Sequence, residues 1–140
     1  MGNMNDLTGK ATILVVDDTP DNLMLMNGLL KNDYIVKAAN SGPLALKIAS
    51  LVPPPDLILL DIMMPGIDGY EVCHILQEDP KTWSIPIIFI TAQTEKEDEH
   101  KGYALGGVDF ITKPFNPNLV LARVLSHVKS RQHMKEITQK

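Results

Sequence analysis

A chain of 140 residues, 44% hydrophobic and 21% charged, is sized for one domain with one sizeable core. Its net charge of −4 argues against a nucleic-acid-binding surface, and a single cysteine, Cys73, excludes an internal disulfide framework and points to a reducing, cytoplasmic setting. No apolar run approaches a membrane span, because DLILLDIMMPG is broken by Asp61 and Pro65, and MGNMNDLTGK lacks the apolar core of a signal peptide.

Residues 1–10 read as a disordered lead-in. ATILVV (11–16) then has the length and β-branched richness of a buried strand, and it runs into Asp17 and Asp18. Pro20 suits a first helical turn, with Asp18 or Thr19 as its cap, and Leu23, Met26, Leu29 and Leu30 recur on one helical face. YIVKAA (34–39) reads as a second, weaker strand nearer the sheet edge. Ser41 caps a second helix carrying Leu44, Ala45, Ile48 and Ala49, which Pro53, Pro54 and Pro55 stop.

DLILL (56–60) is the third strand and runs into Asp61. A third helix from Asp68 or Gly69 is expected to bury Val72, Ile75 and Leu76. IPIIFI (85–90) runs into Thr91, and the polar stretch from Thr94 to Leu105 fits a solvent-facing fourth helix. VDFIT (108–112) runs into Lys113 and Pro114. The last helix starts near Asn116 and Pro117 and is expected to bury Leu119, Val120, Ala122, Val124, Leu125 and Val128. Met24, Met26, Met63 and Met64 read mostly as core filler. His74, His100, His127 and His133 show no metal-ligand spacing with Cys73 and read as surface or helix-face histidines.

Strand and helix alternating five times means an α/β fold: a doubly wound, five-stranded parallel sheet with helices on both faces. The chain is too short for a closed barrel, and the flavodoxin-like order 2-1-3-4-5 places strands one and three side by side at the switch point. Four of the five runs therefore deliver Asp17, Asp18, Asp61, Thr91 and Lys113 to one edge of the sheet. Singly these residues have plain readings, as helix caps, turn residues or a loop lysine. Jointly they make a site. Three carboxylates close together repel unless a cation neutralises them, and a hard divalent ion such as Mg²⁺ uses one or two carboxylates while leaving positions open. Asp61 at the centre is placed as a nucleophile forming an aspartyl phosphate, with Lys113 and the Thr91 hydroxyl to compensate phosphoryl charge.

VVDD (15–18), DLILLDIMMPGIDGYE (56–71), IFITA (88–92) and DFITKPF (109–115) resemble, in order and spacing, the receiver domains of two-component response regulators. The resemblance covers about Ala11 to Ser130, so the expected division is a receiver at 11–130 and the start of a C-terminal helical linker at 131–140. It implies that Asp61 is the phosphoacceptor for a phosphohistidine on a sensor histidine kinase or phosphotransfer protein. It implies that Asp18 is the direct Mg²⁺ ligand with Asp17 assisting, and that Asp61 and the backbone carbonyl of Met63 complete the protein ligands. Thr91 resembles the switch hydroxyl and Phe110 the coupled switch aromatic, while Lys113 resembles the site lysine, with Lys113–Pro114 expected cis. The fourth helix, fifth strand and last helix would form the face that changes partner, including a homodimer. Met63 and Gln93 line the path of water to the phosphoryl group, and Val108 in GGVDF departs from the acid commoner in the family.

The basic run from Arg123 to Lys140 looks like the linker of receivers that precede cyclic-dinucleotide enzymes or sit in hybrid kinases. On this reading the chain is a switch and not an enzyme, with no direct nucleic-acid or membrane partner. The rival is a phosphorylation-independent interaction module, against which the intact five-residue set speaks. An aspartate-nucleophile phosphatase would want an acid two residues beyond its nucleophile, where Met63 stands. A nucleotide or flavin carrier would want a phosphate-binding loop where DDTPDN is acidic.

Overall fold

A computed structural model describes residues 9–92, 104 and 106–138, with the side chains of the last helix described as far as Met134. The five apolar runs become β1 (Thr12–Val16), β2 (Ile35–Ala39), β3 (Leu57–Asp61), β4 (Ile87–Thr91) and β5 (Asp109–Thr112). They pair in parallel in the expected order, β2-β1-β3-β4-β5. Among the described residues the helices are α1 (Pro20–Leu30), α2 (Gly42–Ala49), α3 (Gly69–Glu78) and α4 (Pro117–Thr138). Apart from Ala104, the helix expected over 94–105, with Gln93, His100 and the lead-in through Thr8, lies outside the described residues.

Period-two alternation divides the core between the sheet's two faces. Leu14, Val16, Ile58, Leu60, Ile87 and Phe89 pack with α2 and α3. Ile13, Val15, Leu57, Leu59, Ile88 and Ile90 pack with Met26 and Leu30 of α1 and with Val120, Val124 and Val128 of α4. Every residue of β1, β3 and β4 is buried, as strands covered on both faces require, whereas β2 is only partly buried at the sheet edge.

Helix ends follow local chemistry. Ser41 Oγ accepts from Leu44 N at 3.3 Å, Asp68 Oδ1 from Glu71 N at 2.9 Å, and Asn116 Oδ1 from Asn118 N at 3.1 Å. Thr19 stands at the cap of α1 without a side-chain bond; Asp17 Oδ1 instead accepts its N–H at 2.9 Å.

Several expected core positions face outward. Leu119, Ala122 and Leu125 are exposed because α4 turns its i, i+4 stripe of valines to the sheet, a narrower contact than the composition suggests. Leu44 and Ile75 are likewise exposed, and Cys73 takes the buried place on α3 beside Val72 and Leu76. Met26 and Met64 are buried as filler, but Met24 and Met63 are exposed, at 72% and 74%. Among the described residues, no helix is long and apolar enough to cross a membrane.

Candidate functional site

The parallel register brings the polar strand ends to one edge. β1 ends at Val16, opposite Leu60 of β3, so Asp17 and Asp61 leave neighbouring strands at the same level. Asp61 pairs with Ile90 of β4, which puts Thr91 one residue further along the same edge. Thr91 in turn pairs with Thr112 of β5, and its carbonyl accepts from Lys113 N at 2.8 Å.

Asp17, Asp18 and Asp61 each bring a carboxylate oxygen to within 4.8 Å of the others. Asp17 and Asp61 are buried and Asp18 is exposed, so the cluster opens to solvent on one side. Lys113 Nζ lies 3.3 Å from Oδ2 of Asp17 and 3.3 Å from Oδ2 of Asp61, bridging the two buried acids. Asp61 Oδ1 accepts the Met63 N–H at 3.2 Å. Lys113–Pro114 is cis, as the motif implied.

The electrostatics are those of a crowded acidic site. Burial, then the neighbouring Asp17, push the Asp61 carboxyl up to about 6, against the lowering effect of Lys113 and the Met63 N–H. Burial pulls the Lys113 ammonium down, but Asp61 and Asp17 more than offset it and hold its pKa above the ordinary value. Three carboxylates against one ammonium leave an excess of negative charge in an all-oxygen donor set. That set fits a hard divalent cation, with Asp17, Asp18 and Asp61 as the side chains that would hold it.

The aromatic residue near the site lies in the core. Phe110 is buried, its ring 5.6 Å from that of Phe89, which is 5.4 Å from Tyr70. Its neighbour Asp109 ties β5 to α4, pairing with Arg123 through Oδ1 and with His127 Nε2 through Oδ2 at 2.9 Å. Neither this tie nor Asn22, whose Nδ2 donates to Asp17 Oδ2 at 3.1 Å, was expected from the sequence. Asn22 sits five residues after Asp17 in the first turn of a helix that starts at the strand end. That spacing is the signal that could have found it.

The profile of the response regulator receiver domain matches residues 13–125. The chain belongs to the response regulator receiver domain family. It is 44% identical over 130 residues to the Vibrio cholerae protein named "Probable cyclic di-GMP phosphodiesterase", covering 93% of this chain and 29% of that one. It is 42% identical over 132 residues to the response regulator PleD of Caulobacter vibrioides, covering 94% of this chain and 29% of PleD. This receiver thus spans less than a third of the length of either relative. Among solved structures, the chemotaxis protein CheY4 of Vibrio cholerae superposes with a TM-score of 0.79 at 29% identity, over 84% of this chain and 98% of CheY4. The chain is therefore a receiver domain of two-component response regulators, a signalling switch, with the fold that its strand order specifies.

Proposed function

We propose that Asp61 is the phosphoacceptor of this receiver. The observation that carries the reading is the placement of Asp61: buried at the strand-end edge between Asp17 and Lys113, its carboxylate held by one donor on each oxygen. An Asp61 oxygen attacks the phosphorus of a phosphohistidine on a histidine kinase or phosphotransfer protein. The P–N bond breaks, its electron pair stays on the imidazole nitrogen, and that nitrogen takes up a proton.

Mg²⁺ is the cation that the three carboxylates suit, with Asp18 and Asp61 as direct ligands, Asp17 assisting and the Met63 carbonyl completing the protein's share. When bound it supplies charge neutralisation at the phosphoryl oxygens. Lys113 keeps an ammonium at the Asp61 carboxylate, where the transferred group's negative charge accumulates. Thr91, buried at the end of β4, is the switch hydroxyl, and Phe110, one residue from the tie between β5 and α4, is the aromatic that follows it. Phosphorylation then shifts a pre-existing equilibrium of partner preference rather than creating a new fold.

Residues 11–130 form the receiver, and 131–140 begin a helical linker. The continuity of α4 to Thr138, well past its last buried valine, Val128, supports that division. The Vibrio cholerae relative, named a probable cyclic di-GMP phosphodiesterase, supports an output in cyclic-dinucleotide signalling, with the receiver working in the cytoplasm, where its kinase presents phosphohistidine.

Incubating the chain with Mg²⁺ and acetyl phosphate and weighing the intact protein tests the central reading. One phosphoryl adduct is expected, absent from Asp61→Ala. No adduct on the native chain, or an adduct that survives in Asp61→Ala, overturns it.

A further inference from the structure

Asp17 and Asp61 are held differently. Asp17 accepts two hydrogen bonds from protein donors, Thr19 N at 2.9 Å on Oδ1 and Asn22 Nδ2 at 3.1 Å on Oδ2, and its Oδ2 also ion-pairs with Lys113 Nζ at 3.3 Å. Asp61 accepts one on each oxygen, from Met63 N and Lys113 Nζ. A carboxylate offers about four lone-pair sites, two per oxygen. With the Asn22 amide and the Lys113 ammonium both at Oδ2, the open side of this carboxylate is at Oδ1.

Asn22 is the donor that completes this arrangement. It stands in the first turn of α1, where its own N–H bonds the Thr19 carbonyl at 3.1 Å, and its half-buried side chain reaches back to the strand end. Among the described residues its side chain makes no hydrogen bond other than the one to Asp17. The amide's neutrality matters. With all three acids ionised, the carboxylates and the Lys113 ammonium leave two negative charges, the complement of a divalent cation. A cationic side chain at position 22 would also orient Asp17, but would halve that complement. An apolar one would leave Asp17 held only by the Thr19 N–H on Oδ1 and the Lys113 ammonium on Oδ2.

We propose that Asn22 is a positioning residue: by donating to Oδ2 it holds Asp17 in the orientation that leaves an Oδ1 lone pair for the cation or its water. The inference rests on the cation reading above. Partners that orient metal-binding side chains typically change metal affinity 10–100-fold when removed, and one bond of ordinary length belongs at the lower end.

The test is calorimetric titration of Mg²⁺ into the metal-free chain, native against Asn22→Leu and Asn22→Gln. Leucine fills similar space without a donor; glutamine keeps the donor on a longer stem. Asn22→Leu is expected to weaken Mg²⁺ binding by about tenfold, and Asn22→Gln to recover part of that loss. Thermal midpoints in EDTA separate the alternative: a residue that merely holds the start of α1 would lower the midpoint and leave Mg²⁺ affinity within about twofold of native, and that overturns the proposal. Should Asn22→Leu fail to fold, Asn22→Ala in the same titration decides. A native chain that binds no Mg²⁺ overturns the cation reading together with this one. Native binding with unchanged affinity in the donor-less variants overturns the role of Asn22 alone.

Discussion

Gly69 is pressed against the backbone of Asp61. It opens α3, donates its N–H to the Ile62 carbonyl at 2.9 Å, and leaves no room for a Cβ, which would collide with the Asp61 carbonyl oxygen and lie 2.9 Å from Ile62 Cα. The loop between Asp61 and α3 is thereby clamped at its base, directly behind the backbone that carries the Asp61 carboxylate.

Gly69→Ala is accordingly expected to cost about 1–3 kcal/mol, since the obstruction is backbone that cannot swing aside. It should also slow phosphorylation by acetyl phosphate. Gly66→Ala makes the useful contrast: a Cβ there meets nothing, but its φ of 79° lies in the left-handed region. Its cost should be about 1–2 kcal/mol of stability with little change in phosphorylation rate. Urea denaturation and a phosphorylation time course read both variants, and equal phosphorylation defects would contradict the clamp.

The raised Asp61 pKa makes stability depend on pH in a direction opposite to the usual acid. A carboxyl whose folded pKa of about 6 lies above its unfolded value favours the folded state while protonated. That contribution is complete below about pH 4 and is lost as pH rises through about 6. In EDTA the thermal midpoint should therefore fall over that window, and Asp61→Asn should flatten the slope. Mg²⁺ should raise the midpoint at neutral pH and bind more weakly below about pH 6, because protons compete for the same carboxylate. An Asp61→Asn profile parallel to native would show that another group sets the slope.

Met63 stands exposed beside Asp61, the proposed phosphoacceptor, its N–H on Asp61 Oδ1. A thioether chain offers a water molecule no strong hydrogen bond, so self-dephosphorylation should be slow to intermediate. Met63→Asn, which supplies an amide, should change the rate of phosphoryl loss severalfold while leaving stability within about 0.5 kcal/mol, as expected at an exposed position. Following phosphoryl loss in the two proteins side by side checks this; identical lifetimes would remove Met63 from the account.

Asp109 carries the connection from β5 to α4. Burial pulls its pKa up, but His127, the Phe110 N–H and Arg123 together hold it below the ordinary value. Its contribution is therefore present above the unfolded pKa and lost as pH falls through the depressed folded value, below about pH 4. Asp109→Ala should cost about 2 kcal/mol at neutral pH, as expected for severing hydrogen bonds to charged groups. It should also speed amide exchange in the first turns of α4. Unchanged exchange there would mean that the valine stripe alone fastens the helix.

The strands were legible because burial on both faces demands continuous apolar runs, and each run of β1, β3, β4 and β5 is punctuated by a polar residue at its end. The order 2-1-3-4-5 and the meeting of Asp17, Asp18, Asp61 and Lys113 follow from that pattern and the handedness of crossovers. The rotation of each helix about its axis was less legible. Leu119 and Leu125 are as apolar as Val120 and Val124, and only docking against the sheet selected the valines. The same holds for Cys73 over Ile75 on α3.

The sequence by itself determined the fold class, the edge on which the chemistry gathers and the identity of the four charged residues there, because strand ends are local features with a fixed direction. Only the tertiary structure decided how those residues are held. Asn22 reaches Asp17, Gly69 braces Asp61, and Asp109 finds Arg123 and His127 through contacts between elements. Such contacts depend on the separation and tilt of packed helices and strands, which no residue's own propensity encodes.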